Sequence, residues 1–112
     1  MQSLVKNASL KQLRIFAAAA QSKSFMGAAS ELYLSQPAVS MQMAKLAELT
    51  ATELFHKVGR QQVLTPAGET LLEHVLLVLQ SLEEADVALS ALQGMQNGKI
   101  KLAITTTARY FI

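Results

Sequence analysis

Cysteine is absent from this 112-residue sequence, and histidine occurs only as His56 and His74. The missing thiols exclude a disulfide scaffold and any thiolate metal site. Long apolar runs are also missing. The longest, Ile15 to Ala20, has six residues, whereas a membrane-spanning helix needs about 20. Lys11 and Arg14 interrupt the N-terminal region before any signal-peptide core could form. A soluble, cytoplasmic chain with no membrane partner is expected. Apolar residues themselves are plentiful, at 51% against 16% charged. That is enough to bury the core of one domain, or of one domain joined to a fragment of another.

The net charge of +2 hides an asymmetry. Residues 1–66 carry seven basic groups (Lys6, Lys11, Arg14, Lys23, Lys45, Lys57, Arg60) against Glu31, Glu48 and Glu53. Residues 67–98 carry Glu69, Glu73, Glu83, Glu84 and Asp86 with no lysine or arginine. A basic segment followed by an acidic one points to a polyanionic partner for the first part only. Solvated helix faces account for the same charges without any partner.

Leu10, Leu13, Phe16 and Ala17 recur at helical spacing and predict a helix to about Gln21. Ser24 can cap a short second helix from about Phe25 to Leu32. Its Gly27, Ala28 and Ala29 allow another helix to approach closely. Tyr33-Leu34-Ser35 reads as a tight connection. Ser35 is the next N-cap and Pro37 falls in the first turn of a helix from about Gln36 to Leu49. Val39, Met43 and Leu46 form its inward stripe. Gln36, Pro37, Ser40 and Met41 share a different arc that is mostly small or polar and carries no charge. Leu54-Phe55 and Val63-Leu64, on either side of a polar stretch with Gly59, predict a β-hairpin.

Thr65 and Pro66 then open a long helix. Its apolar seam, Leu71, Val75, Val78, Leu82, Ala85, Leu89 and Leu92, follows an unbroken heptad pattern. From Pro66 to Gln93 such a helix spans about 42 Å. So much apolar surface on an elongated helix calls for a partner. Gly94 and Gly98 are expected to frame its exit loop. Ile100, Leu102 and Ile104 alternate with Lys99, Lys101 and Ala103 as in a strand.

A short helix, a three-residue turn, a capped helix with a small polar face and a hairpin behind it are the parts of a winged helix-turn-helix. Such a face suits a major groove about 12 Å wide. A small helical bundle with a merely polar face fits the pattern alone equally well. An enzyme is disfavoured, because no nucleophile, acid–base pair or metal cluster stands near either histidine. No catalytic, metal or cofactor-binding residue is expected.

The run Ala28-Ala29-Ser30-Glu31-Leu32-Tyr33-Leu34-Ser35-Gln36-Pro37-Ala38-Val39-Ser40 closely resembles the helix-turn-helix signature of the LysR-type transcriptional regulators. Leu10-Lys11-Gln12-Leu13-Arg14-Ile15-Phe16, Leu54-Phe55 and Leu64-Thr65-Pro66-Ala67-Gly68 extend the resemblance over nearly the whole chain. The tail Thr105-Thr106-Thr107-Ala108-Arg109-Tyr110-Phe111, with Ser40-Met41-Gln42-Met43, looks like the regulators of Calvin-cycle operons that encode RuBisCO.

The resemblance implies a mainly α chain in three parts. These are a winged helix-turn-helix DNA-binding domain over 1–65, a linker or dimerisation helix over 66–94, and over 95–112 the first strand of a truncated α/β effector domain. It implies double-stranded operator DNA as partner, read by Gln36, Pro37, Ser40 and Met41. Ser35 and Lys45 would add to the contact, with Lys57 and Arg60 on the wing. Leu71, Val75, Val78, Leu82, Leu89 and Leu92 would pair two copies in a homodimer, with a homotetramer at full length. A small-molecule effector would bind only in the full-length protein, near Thr106 and Thr107. The sequence departs from the family where Met41 replaces a frequent arginine and Met26-Gly27 replaces a common Thr-Arg. Ala44 and Ala47 stand where charges are frequent. Thr50-Ala51 replaces the usual Leu-Gly, which leaves the turn geometry there open.

Overall fold

In a computed structural model of the chain, which describes residues 1–96, the element order is α1 (Leu4–Asn7), α2 (Leu10–Ser22), α3 (Phe25–Leu32), α4 (Gln36–Thr50), β1 (Phe55–Val58), β2 (Gln61–Leu64) and α5 (Pro66–Gln96). The chain divides into two units, Met1–Leu76 and Leu77–Ile112. The expected strand at 98–104 and the effector positions Thr106 and Thr107 lie outside the described residues.

Helices α3, α4 and α5 start on the serine or threonine that the sequence predicts. Ser24, Ser35 and Thr65 accept hydrogen bonds from the N–H groups of Gly27, Ala38 and Gly68 at 3.0–3.2 Å. These satisfy donors that the first turn leaves without partners. Ser9 and Gln12 form a reciprocal capping box at the start of α2, for which Ser-x-x-Gln is the sequence signal.

The helix ends are less orthodox. Lys23, Tyr33 and Ala51 all adopt left-handed backbone, with φ of 55°, 58° and 56°. At the end of α4 the N–H of Ala51 bonds to the Glu48 carbonyl, and that of Thr52 to the Ala47 carbonyl, both at 3.2 Å. This is a Schellman closure, so the turn forms despite the loss of glycine. The left-handed conformation costs a Cβ-bearing residue about 1–2 kcal/mol. Ala51→Gly therefore raises unfolding free energy by about 0.5–1 kcal/mol, after the greater chain entropy of glycine is subtracted. Urea titration checks this; a lower midpoint for the variant would contradict the reading.

The core lies where α2, α3 and α4 meet. Ile15, Phe16 and Ala19 of α2, Ala28 and Ala29 of α3, and the stripe Val39, Met43 and Leu46 of α4 are buried. The small residues of α3 bring the helices together, as the sequence suggests. The hairpin is antiparallel with Phe55 opposite Leu64 and Val58 opposite Gln61. Gly59 and Arg60 make a two-residue turn. Gly59 takes φ +63°, the positive angle that a II′ turn requires at its first central position.

Phe55 anchors the wing. Its ring lies edge-on to Phe16 at 5.4 Å and to Phe25 at 5.3 Å. The N–H of Gln62 adds a bond to the Lys23 carbonyl, 2.9 Å. Where α5 begins, Gly68 is required by close approach. A Cβ there would strike the Leu54 carbonyl oxygen.

One helix is new and one expectation needs correction. Helix α1 is not predicted, because four residues carry too little periodicity to register. It is held by Ser3 at its N-cap and by a 2.8 Å bond from the Gln2 N–H to the Leu49 carbonyl. Gly94 does not open an exit loop. It is buried within α5, which continues to Gln96. A single glycine costs a helix only about 1 kcal/mol, and Leu92, Gln93, Met95 and Gln96 around it are good helix formers.

Candidate nucleic-acid interface

Helix α4 is fixed by its buried stripe and by its ends. Ser35 caps its start, the Schellman turn closes its end, and Gln12 ties it sideways. The Gln12 side chain is buried, and its Nε2 donates to Gln42 Oε1 at 3.1 Å. The same amide accepts from the Ser9 N–H at 2.9 Å. One glutamine thus links the start of α2 to the middle of α4. The sequence reading missed this link, although the capping-box spacing was available to indicate half of it.

With the stripe turned inward, the neighbouring arc faces outward. Gln36, Pro37 and Met41 are exposed, and Ser40 is half-buried. Gln36 Nε2 donates to Ser40 Oγ at 3.0 Å, one turn along. This bond holds the amide over the helix surface. It uses one of the two N–H groups of the exposed amide, so the carbonyl oxygen and the second N–H remain as an acceptor and a donor. The exposed Ala44 lies mid-arc at 100° per residue. The sequence reading noted it only as a missing charge. Lys45 follows Met41 by one turn and is exposed. Ser35 is exposed, with its oxygen engaged by the Ala38 N–H at 3.2 Å.

Beside this arc lies a groove of about 260 Å³, lined by Ser40 and Ala44 of α4, Glu53, Phe55 and Gln62 among others. Lys57 is exposed on β1 and Arg60 is exposed at the hairpin tip. Neither they nor Lys45 form an ion pair among the described residues. The structure thus puts Gln36, Pro37, Ser40, Met41 and Lys45 on one side of α4, and the other two cations on the wing.

The seam residues divide between the two units. Val75 is buried at 2% exposure and Leu71 is half-buried, whereas Val78, Leu82, Leu89 and Leu92 are exposed. Among the described residues the exposed part of the seam therefore starts at Val78. No helix among the described residues is long and apolar enough to cross a membrane.

An exposed, uncharged arc on the second helix of a tight helical pair, with a basic hairpin behind it, defines a winged helix-turn-helix. The model of the bacterial regulatory helix-turn-helix proteins of the lysR family matches residues 10–69, and the chain belongs to that family.

A RuBisCO operon transcriptional regulator of Allochromatium vinosum is 43% identical over 103 residues, covering 92% of this chain and 34% of its own length. The HTH-type transcriptional regulator CbbR of Rhodospirillum rubrum is 43% identical over 102 residues, covering 91% of this chain and 34% of its own. The chain spans about a third of the length of these curated relatives. Among solved structures, a CbnR_DBD–DNA complex is similar with TM-score 0.65 and 29% identity, covering 70% of this chain and 90% of that one. A BenM_DBD complex with catB site 1 DNA has TM-score 0.66 and 28% identity, covering 69% and 86%.

Proposed function

We propose that this chain is the operator-reading part of a LysR-type regulator of a carbon-fixation operon encoding RuBisCO. The observation that carries the reading is the exposed arc of α4, with Gln36 held by Ser40. The remaining oxygen and N–H of Gln36 match the N6 donor and N7 acceptor of adenine in the major groove. Pro37 and Met41 offer apolar contact to a thymine methyl. Ser35 and Lys45 reach phosphate. Lys57 and Arg60 carry the wing to the minor groove or its backbone. The RuBisCO operon regulators among the relatives support the operon, and the similar solved complexes with DNA support duplex DNA as ligand.

Two copies pair through the exposed seam Val78, Leu82, Leu89 and Leu92, with Leu71 at its margin. Each buried leucine is worth about 1.5–3 kcal/mol. The pair presents two α4 helices to a pseudo-palindromic operator. In the full-length regulator, a homotetramer in the cytoplasm, a small-molecule effector binds near Thr106 and Thr107. The chain itself performs no catalysis and holds no cofactor.

Fluorescence anisotropy with the promoter region of a RuBisCO operon and with a scrambled duplex tests the proposal. Preference for the promoter by about a thousandfold or more is expected of specific binding; equal affinity overturns it. The wing acts on affinity alone. Arg60→Ala weakens binding to both duplexes and makes the slope of log K against log salt less negative by about one. An unchanged slope would place Arg60 away from the phosphates.

A further inference from the structure

Sulfur occurs in this chain only as thioether, in five methionines. Two of them sit two residues apart on α4 with opposite surroundings. Met41 is 52% exposed on the outward arc, and Met43 is 4% exposed in the core. Peroxide reaches a thioether according to exposure, so it distinguishes the two. In the function proposed above, Met41 is also an apolar group offered to a thymine methyl. We infer that Met41 is an oxidation site through which peroxide weakens operator reading, an inference that rests on the function proposed above.

The chemistry balances with hydrogen peroxide as the only co-reactant. A lone pair on the Met41 sulfur attacks one peroxide oxygen, and the O–O bond breaks as the S–O bond forms. The departing hydroxide takes up the proton left on the transferred oxygen and leaves as water. Sulfur loses two electrons and peroxide gains them. The product is a polar, chiral sulfoxide on a side chain that was apolar.

Against a thymine methyl the new oxygen finds no donor and is stripped of water, which is unfavourable. One turn back, Pro37 offers no donor. One turn on, the Lys45 ammonium does, and a bond to the sulfoxide draws that cation away from phosphate. Both consequences oppose binding. Bound DNA covers the thioether, so the free protein is the form that reacts.

Peptide mass spectrometry after peroxide treatment, with and without operator duplex, reads the first half of the inference. Sulfoxide at Met41 in the free protein, its suppression by operator, and a reduced Met43 throughout are expected. Anisotropy reads the second half. Oxidised wild type binds operator about tenfold more weakly than untreated protein, and a methionine sulfoxide reductase restores it. Met41→Leu, whatever its starting affinity, loses nothing further on treatment, whereas Met26→Leu still loses affinity. Full affinity in protein oxidised at Met41 overturns the inference, as does an equal loss in Met41→Leu. Untreated protein that cannot tell operator from scrambled duplex overturns the proposed function as well, and so separates the two failures.

Discussion

Phe55→Ala removes about 3–5 kcal/mol of unfolding free energy from the chain. The ring is buried on the first residue of β1 and meets Phe16 of α2 and Phe25 of α3 edge-on. Each such aromatic pair adds about 0.5–1.5 kcal/mol beyond the area it buries. Truncation leaves a void between three elements whose backbones are fixed by caps and by the hairpin register, so the site cannot collapse to fill it. Domains of this size have about 5–15 kcal/mol in total. The variant therefore loses a large share of its stability, and the wing loses the ring that seats it. Urea unfolding followed by circular dichroism measures the loss. A change below about 1 kcal/mol, with wing protons still protected from exchange, would show that the hairpin is held by something other than this cluster.

Leu82→Glu gives monomers and weakens operator binding by about a hundredfold or more. Leu82 is 44% exposed in the middle of the heptad seam, between Val78 and Leu89, which are 43% and 61% exposed. In a pair of helices it is flanked by apolar neighbours, and a carboxylate placed there must either lose water without a partner or keep the helices apart. The second is cheaper. A monomer then binds one half-site and loses the gain of two linked contacts, which commonly reaches 10²–10⁴. Sedimentation at tens of micromolar, beside anisotropy on whole and half operators, reads both effects. A Leu82→Glu chain that remains dimeric, or a wild-type chain that is already monomeric, contradicts pairing through the seam.

The parts of the fold that were legible are those where one local signal suffices. Ser24, Ser35 and Thr65 announce helix starts because few other residues satisfy free N–H groups there. The stripe Val39, Met43 and Leu46 announces the inward face of α4, and with it the outward arc. Gly59 announces the hairpin because its positive φ excludes most side chains. The ends of α2, α3 and α4 fall within one residue of the predicted Gln21, Leu32 and Leu49. How those ends close was harder to read, because Lys23, Tyr33 and Ala51 adopt a left-handed conformation that normally marks glycine. Gly94 carries the sign of an end where none occurs.

Long-range contacts were the least legible. The Gln12–Gln42 bond joins residues thirty positions apart, and no periodicity encodes it. The burial of Val75 was hidden for a related reason. A heptad seam records which residues share a face, and not which of them the folded chain itself buries.

The central claim is that the outward arc of α4 reads base pairs. Affinity of wild type and Gln36→Ala for an operator, for its single-base-pair variants and for random duplex tests it most directly. The wild type should discriminate at one adenine–thymine pair by about 1–3 kcal/mol. Gln36→Ala should lose that discrimination while its affinity for random duplex stays unchanged. An equal loss on operator and random duplex would make Gln36 a backbone contact and contradict the claim.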